Sequence, residues 1–130
     1  MHREKRRFVL AVASACFLVL GVASASSEIR DELIGTWDYE SLTAVRNGER
    51  DGTVHFRPGQ WTVRFDADAT WVMKGPPPSG GLSGAYEVHG HDLTMKANGR
   101  QDMEYRFAVK KNGRVLMLKD KGVIIIANRE

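Results

Sequence analysis

The residues best suited to chemistry are two histidines separated by one glycine. His89-Gly90-His91, flanked by Glu87 and Asp92, offers imidazole and carboxylate groups that suit Zn²⁺ or Cu²⁺. Such a centre needs three or four ligands that are held in place by further contacts. The same residues also fit a solvated hairpin tip with glycine at the turn. We therefore expect no metal and no cofactor at this position.

Paired carboxylates and serine–histidine sets are two further arrangements that could support catalysis. Asp66 and Asp68 straddle Ala67, but this pattern between two apolar segments is typical of a solvated turn. The sequence contains no Gly-X-Ser-X-Gly elbow that would mark a nucleophilic serine. It also contains no phosphate-binding loop, metalloprotease helix or Rossmann fingerprint. We predict that the protein is not an enzyme.

Large apolar side chains are the third group of candidates, because ligand sites are concave and mostly apolar. Methionine and aromatic side chains adapt well to varied hydrophobic ligands. The residues that could line a ligand cavity are Trp61, Phe65, Trp71, Met73, Tyr86, Met95, Tyr105, Phe107 and Met117. The alternative is that these side chains pack into a solid core. Arg57, Arg64 and Arg106 are expected on outer faces, so no buried cation is predicted to meet a ligand carboxylate.

Short strands are expected to position these residues. Asn-Gly pairs at residues 47–48, 98–99 and 112–113 suit tight hairpins, because both residues tolerate positive φ. Apolar and polar residues alternate along segments such as 103–110, as they do in strands with one buried face. These patterns predict strands near residues 35–46, 52–57, 60–66, 69–74, 83–89, 92–97, 101–110, 114–119 and 122–128.

Eight or nine short strands joined by hairpins predict an all-β fold, a small up-and-down antiparallel β-barrel. Closure into a barrel removes the exposed edges of the sheet. A two-sheet sandwich is the alternative architecture. Residues 28–33 predict a short helical turn before the first strand, with Ser26 or Ser27 as its N-cap. The Pro- and Gly-rich segment 75–81 is expected to be a long loop that forms a lid or rim at the barrel mouth.

The segment Leu33-Ile34-Gly35-Thr36-Trp37 places Gly-X-Trp at the start of the first strand, directly after the helical turn. This arrangement resembles the lipocalin and fatty-acid-binding-protein group of β-barrels, in particular the small bacterial lipocalin-like secreted domains. The resemblance extends over residues 28–130 in pattern, with Gly35-Thr36-Trp37 as its strict motif. It implies that Trp37 closes one end of the barrel and that Arg129 packs across it.

The first 25 residues have the features of a secretory signal peptide. Basic residues precede an apolar run at residues 8–22, and Ala23-Ser24-Ala25 supplies the small residues that a signal peptidase needs. The apolar run is shorter than the roughly 20 residues of a membrane-spanning helix. An uncleaved anchor and lipidation of Cys16 are the alternatives. We expect cleavage after Ala25, which leaves residues 26–130 as a lipocalin-like domain in the periplasm or outside the cell.

The charge balance limits the partners of the expected mature chain. The full sequence has 19 basic and 16 acidic residues, and Arg3, Lys5, Arg6, Arg7 and Glu4 lie before the expected cleavage point. Residues 26–130 are therefore balanced in charge, which removes the charge-based argument for nucleic acid or anionic membrane partners. We expect no nucleic-acid partner and no stable membrane insertion after signal cleavage. We expect an exported binding module for a small hydrophobic or amphipathic ligand. The alternative is an envelope protein-interaction or inhibitor protein with a packed barrel and binding loops.

Overall fold

The computed structural model describes residues 28–77 and 81–130, in which a short helix at residues 28–33 precedes nine strands. The strands are β1 (Gly35–Arg46), β2 (Glu49–His55), β3 (Thr62–Phe65), β4 (Thr70–Lys74), β5 (Gly81–His89), β6 (Asp92–Ala97), β7 (Met103–Lys110), β8 (Val115–Lys119) and β9 (Val123–Arg129). The expected signal peptide and Cys16 lie outside the described residues. Within those residues, no helix is long and apolar enough to cross a membrane.

All nine strands belong to one antiparallel sheet that closes on itself. From β3 to β9 each strand pairs with the next along the chain. One edge of β1 pairs with β3, and β1 also pairs with β9, from Trp37 opposite Arg129 to Ala44 opposite Val123. Thus β1 and β3 to β9 form a closed eight-stranded barrel, with β2 as one extra strand. The predicted up-and-down barrel with a short N-terminal helix is confirmed, and the sandwich alternative is wrong.

The extra strand β2 and the barrel strand β3 follow one another along β1. β2 pairs with the second half of β1, whereas β3 pairs with the first half. Between them, Phe56 N donates to Glu40 O and Tyr39 N donates to Trp61 O, each at 2.9 Å. In the described part of the chain no strand pairs with the outer edge of β2, and all seven of its residues are exposed. Its first three residues are charged, which disfavours edge-to-edge aggregation.

The Asn-Gly pair between β1 and β2 forms the hairpin that the sequence predicts. Arg46 and Glu49 are paired directly, so Asn47 and Gly48 are the only residues in the loop. Their φ angles are 53° and 78°. A type I′ turn requires positive φ at both positions, and its twist matches that of the flanking strands. The local sequence therefore determines the register of this hairpin.

One end of the barrel is closed by Trp37 and Arg129. Trp37 is fully buried, and its indole Nε1 donates a hydrogen bond to the carbonyl of Leu33 at 2.8 Å. The guanidinium of Arg129 lies 4.2 Å from the centroid of the Trp37 ring, a cation–π distance. The same guanidinium donates to three carbonyls at 2.6–2.7 Å, those of Glu32, Ile34 and Gly113. It thus ties the N-terminal helix and the β7–β8 turn to the last strand.

Gly35 makes room for this arginine. A Cβ at Gly35 would lie 2.5 Å from Nη1 of Arg129, closer than two such atoms can approach. The φ of Gly35 is also +133°, a conformation that side-chain-bearing residues rarely adopt. Glycine is therefore required at the position before Thr36-Trp37.

Replacing Arg129 by alanine is expected to lower the free energy of unfolding by about 2 kcal/mol, because the cation–π contact and three charged hydrogen bonds are lost. Chemical denaturation measures this change. Arg129→Lys should recover only part of the loss, since an ammonium group lacks the planar fork of donors. Arg114→Ala is the matched control at an exposed site, where a change within about 0.5 kcal/mol is expected. Full recovery by lysine would contradict this account of the closed end.

Candidate functional site

The middle of the barrel is filled by side chains. Five of the residues predicted to line a cavity are at most 2% exposed. These are Phe65, Trp71, Tyr86, Met95 and Phe107. The rings of Phe65 and Tyr86 meet edge to face, with their centroids 5.2 Å apart. Since an eight-stranded barrel is just wide enough for side chains to fill, these five residues form its core.

Trp71 is fixed in this core by polar contacts as well as by packing. Its indole Nε1 lies 3.0 Å from Ala85 O and 3.2 Å from Lys96 O, so it can donate to both carbonyls. Gly84 is the residue opposite Trp71 on β5, and a Cβ at Gly84 would overlap Lys96 O. Turning Trp71 aside within the barrel to admit a ligand would leave its buried N–H without a partner, at a cost of about 1–3 kcal/mol.

Inward-facing apolar side chains at the other end of the barrel are only half-buried. The strand directions place them around the end of the barrel that is opposite the Trp37–Arg129 pair, where they pack against the buried core. We call these residues the mouth cluster: Trp61, Met73, Leu82, Met103, Tyr105 and Val123. Three of the residues predicted from sequence, Trp61, Met73 and Tyr105, belong to this cluster. The mouth cluster is the accessible continuation of the filled core.

The largest side chain of the mouth cluster lies across the start of the proline-rich segment. A Cβ at Gly75 would overlap ring atoms of Trp61, so the indole occupies the space that a side chain at residue 75 would need. Gly75 follows directly on β4, at the open end of the barrel. The segment 75–81 was expected to form a lid or rim, and its described residues 75–77 lie at this end. Residues 78–80 lie outside the described residues.

Two tyrosines place hydroxyl groups in or beside this apolar interior. Tyr39 is 7% exposed, and its burial raises its pKa far above the ordinary value, with a smaller contribution from nearby Tyr105. Burial also raises the pKa of Tyr105, and the carboxylate of Asp120 adds to this shift. Both phenols are therefore neutral at physiological pH. They can donate or accept a hydrogen bond without bringing a charge into the barrel.

Met117 does not face the interior with the other predicted residues. Leu116 and Leu118, its neighbours on β8, are fully buried, whereas Met117 is half-buried on the opposite face. There it is paired with Ala108 and Ile126, which also lie on the outer face. The prediction from sequence that Met117 lines a ligand cavity is therefore corrected: Met117 lies on the outer face of the barrel. The run of apolar residues in β8 shows no alternation, so the sequence could not indicate which face is buried.

The histidine motif lies at a polar turn at the closed end. Gly90 and His91 connect β5 to β6, with Gly90 at a φ of 60°. The His89 side chain is 80% exposed, and its Nε2 is 3.9 Å from a carboxylate oxygen of Glu87. The ring of His91 lies against Phe107, at a centroid distance of 5.7 Å. Across residues 28–77 and 81–130, no three His, Cys, Asp or Glu side chains are grouped closely enough to hold a metal ion.

The two aspartates of the β3–β4 turn are engaged in local hydrogen bonds. Asp66 accepts from Nε of Arg64 at 3.0 Å. Asp68 accepts from the hydroxyl of Thr70 at 2.5 Å and from its backbone N–H at 3.2 Å. The hydroxyl contact in particular holds the pKa of Asp68 below its ordinary value. These contacts stabilise the turn, in agreement with the interpretation of Asp-X-Asp as a turn signal.

Arg30 is a partly buried cation that the sequence analysis missed. Its Nη2 donates to Ala67 O, and its Nε is buried and has no hydrogen-bond partner. It lies beside Tyr86, whose hydroxyl donates to Asp66 O at 2.7 Å. The packing of a helix on the barrel end, rather than strand alternation, buries part of this side chain, and Arg30 lies at the closed end, where it does not line the mouth cluster. No sequence pattern in a six-residue helix could have indicated it.

Comparison with known proteins identifies the fold class. No protein-family model matches the chain, and no curated protein matches it. A lipocalin-like protein from Bacteroides uniformis has a similar structure, with a TM-score of 0.58, 13% identity, and coverage of 76% of this chain and 99% of that chain. An uncharacterized protein from Bacteroides eggerthii is also similar, with a TM-score of 0.57, 9% identity, and coverage of 75% of this chain and 99% of that chain. The chain therefore folds as a lipocalin-like β-barrel, as the resemblance around Gly35-Thr36-Trp37 predicted.

The mouth cluster should contain the one solvent-accessible tryptophan of the expected mature chain. Trp37 and Trp71 are fully buried, whereas Trp61 is half-buried. Acrylamide is expected to quench one component of the tryptophan emission, and Trp61→Phe should remove that component. Trp71→Phe is the matched control, and it should leave the quenchable component in place. A quenchable component that persists in Trp61→Phe would contradict the open mouth.

Proposed function

We propose that the protein is an exported, non-enzymatic binding module that takes a small hydrophobic or amphipathic molecule at the mouth cluster. The observation that carries this proposal is the contrast between a filled barrel and its half-buried apolar mouth. Apolar surface with a few polar groups nearby is typical of small-molecule sites. The similarity to a lipocalin-like protein supports a binding barrel. The engagement of Asp66 and Asp68 in a turn is consistent with a function other than catalysis.

The filled core limits how deep such a ligand can bind. Val63 and Trp71, the next inward-facing residues below Trp61 and Met73, are fully buried and leave no room beside them. The ligand would therefore rest on Trp61 and Met73 and not enter the barrel axis. A polar group on the ligand would meet the neutral hydroxyl of Tyr105. This geometry favours a compact amphipathic molecule over a long acyl chain.

A neutral fluorescent probe, 1-N-phenylnaphthylamine, tests the mouth directly. Its emission is expected to rise on binding, and excitation of Trp61 should transfer energy to it. Trp61→Ala and Met73→Ala should each weaken binding about ten-fold, because each removes apolar contact area worth about 1–2 kcal/mol. Fluorescence titration measures the dissociation constants.

Met117→Ala is the matched control for these variants. Met117 is half-buried on the outer face of β8, away from the barrel interior, so its truncation should leave probe affinity unchanged. Circular dichroism and denaturation midpoints establish that each variant is folded. Wild-type probe affinity in both folded mouth variants would argue against a ligand site at the mouth.

The β1–β2 hairpin favours a second candidate function, binding of a protein by a packed barrel. β2 presents an edge with no strand beside it in the described chain, and Val54 is exposed on it. Addition of a partner strand to such an edge is a common mode of recognition. In this case the loops and the hairpin would bind, and the mouth would carry no small molecule.

Mass spectrometry of the protein recovered from its own host tests export and separates the two candidate functions. The denatured mass is expected to match residues 26–130, since the small residues before Ser26 suit cleavage there. The native spectrum is expected to show a reproducible small-molecule adduct. A lipid-modified or full-length mass would contradict the proposed export as a free domain. A native complex with another protein and no adduct would favour the second candidate.

A further inference from the structure

The outer edge of β2 carries peptide groups that can accept a further strand. Phe56 N donates to Glu40 O at 2.9 Å, so the peptide groups of Phe56 are directed toward β1. Because the N–H and C=O groups of an antiparallel strand point to alternate sides, those of Val54 are directed toward β1 as well. Those of Thr53 and His55 are directed to the outer edge, where no strand lies among the described residues. Each of these two residues offers one donor and one acceptor.

An apolar side chain lies between these two residues. Val54 is 56% exposed, and it is the one large hydrophobic residue of the described chain that is exposed. It lies on the same face of β2 as Phe56, which packs against the barrel core, and it is paired with Leu42 of β1. A strand added to β2 would cover Val54 and the unpaired peptide groups together.

The chain limits the free part of this edge to a short stretch. Before Thr53, the register of the β1–β2 ladder shifts and Gly52 has a φ of 101°, so the strand is irregular there. After His55, Arg57 N donates to Gln60 Oε1 and Arg57 O accepts from Gln60 N, each at 3.0 Å. Between these limits, the outward peptide groups are those of Thr53 and His55.

A second copy of β2 fits this stretch in an antiparallel register centred on Val54. Thr53 of each copy then lies opposite His55 of the other, on both sides of a two-fold axis. These residues direct their peptide groups outward, so they form the hydrogen-bonded pairs of an antiparallel ladder. Val54 lies opposite its own copy at the non-hydrogen-bonded position, where cross-strand side chains are closest. The edge is therefore self-complementary.

The charges at the two ends of this pairing are complementary. Asp51 of one copy lies across from Arg57 of the other, because the two positions are equally far from the axis. Both side chains are exposed, and Arg57 makes no ion pair within the described chain. Asp51 is 3.4 Å from an arginine of its own hairpin, and its carboxylate can accept from a second cation. The charged residues 49–50 lie opposite the uncharged residues 58–59, so no like charges meet.

We propose that two copies of the protein associate through their β2 edges, with a two-fold axis at Val54. Because β1 occupies the inner edge of each β2, the pairing closes at two copies and does not propagate. Such a short pairing buries less than the roughly 1,200 Å² of a standard interface, so a dissociation constant in the micromolar range is expected. The proposal is independent of the ligand at the mouth, and it assigns the β2 edge to a second copy rather than to another protein.

Sedimentation velocity of the exported protein, from low to high micromolar concentration, measures the dimer. Val54→Lys and Val54→Glu should each weaken dimerisation about ten-fold or more, because like charges then lie directly opposite each other. An equimolar mixture of the two variants should dimerise again, since lysine then lies opposite glutamate. This recovery cannot result from misfolding, and it requires that residue 54 of one copy meets residue 54 of the other.

Substitutions at Thr53 test the contribution of the peptide groups. Thr53→Pro removes an outward N–H from each copy, and proline is tolerated at a free strand edge, so the dimer should be lost. Thr53→Val keeps this N–H and should dimerise as the wild type does. Ser83→Lys is the matched control for an added charge, because Ser83 is exposed on β5, a strand with neighbours on both edges. Circular dichroism establishes that each variant is folded.

A concentration-dependent dimer that is lost in each Val54 variant and recovered in their mixture supports the proposal. A wild-type protein that stays monomeric throughout would overturn it. A dimer of wild-type strength in Val54→Lys would place the interface on another face, and a mixture that stays monomeric would exclude the two-fold axis at Val54. A complex in which another protein occupies the β2 edge would also overturn the proposal and support the second candidate function.

Discussion

Antiparallel pairing between the first and last strands holds this barrel closed. β9 runs along β1 from Arg129 opposite Trp37 to Val123 opposite Ala44, and without it the sheet would have two open edges. The same pairing places Arg129 over Trp37 and within reach of carbonyls from the helix and a distant turn. Closure of the wall and closure of one end thus depend on a single strand pair.

Closure with eight strands leads to a filled interior, because the diameter is set by strand number. Accessible apolar surface then occurs where the wall ends or is interrupted. The mouth cluster lies at the end of the barrel where the inward-facing side chains of the strands end, at residues such as Trp61 and Met73. The wall is interrupted where β8 stops at Lys119 while β7 continues beside β6. Unequal strand lengths, rather than a large barrel, leave apolar surface accessible.

Local patterns were sufficient for most of the fold. The predicted bounds of the first strand and of the sixth agree with Gly35–Arg46 and Asp92–Ala97, and the other strands differ at their ends by a few residues. The hairpin at Asn47-Gly48 was predicted because its turn chemistry is contained in two residues. Of the candidate site, Trp61 and Met73 were predicted from sequence as large apolar side chains that could line a ligand cavity. Trp61 and Met73 are half-buried, whereas Phe65 and Trp71, which also face inward, are fully buried. This difference depends on where each strand ends in the barrel.

The sequence by itself determined the approximate positions of the strands and the tight hairpin at Asn47-Gly48, because these follow from backbone conformations and period-two alternation within a few residues. Only the tertiary structure decided that Met117 faces outward, that Arg30 is partly buried and that Gly35 must leave room for Arg129. Each of these depends on which element packs against a given face. That information is absent from local spacing, since an apolar run such as Val115-Leu116-Met117-Leu118 satisfies either orientation until its neighbours are in place.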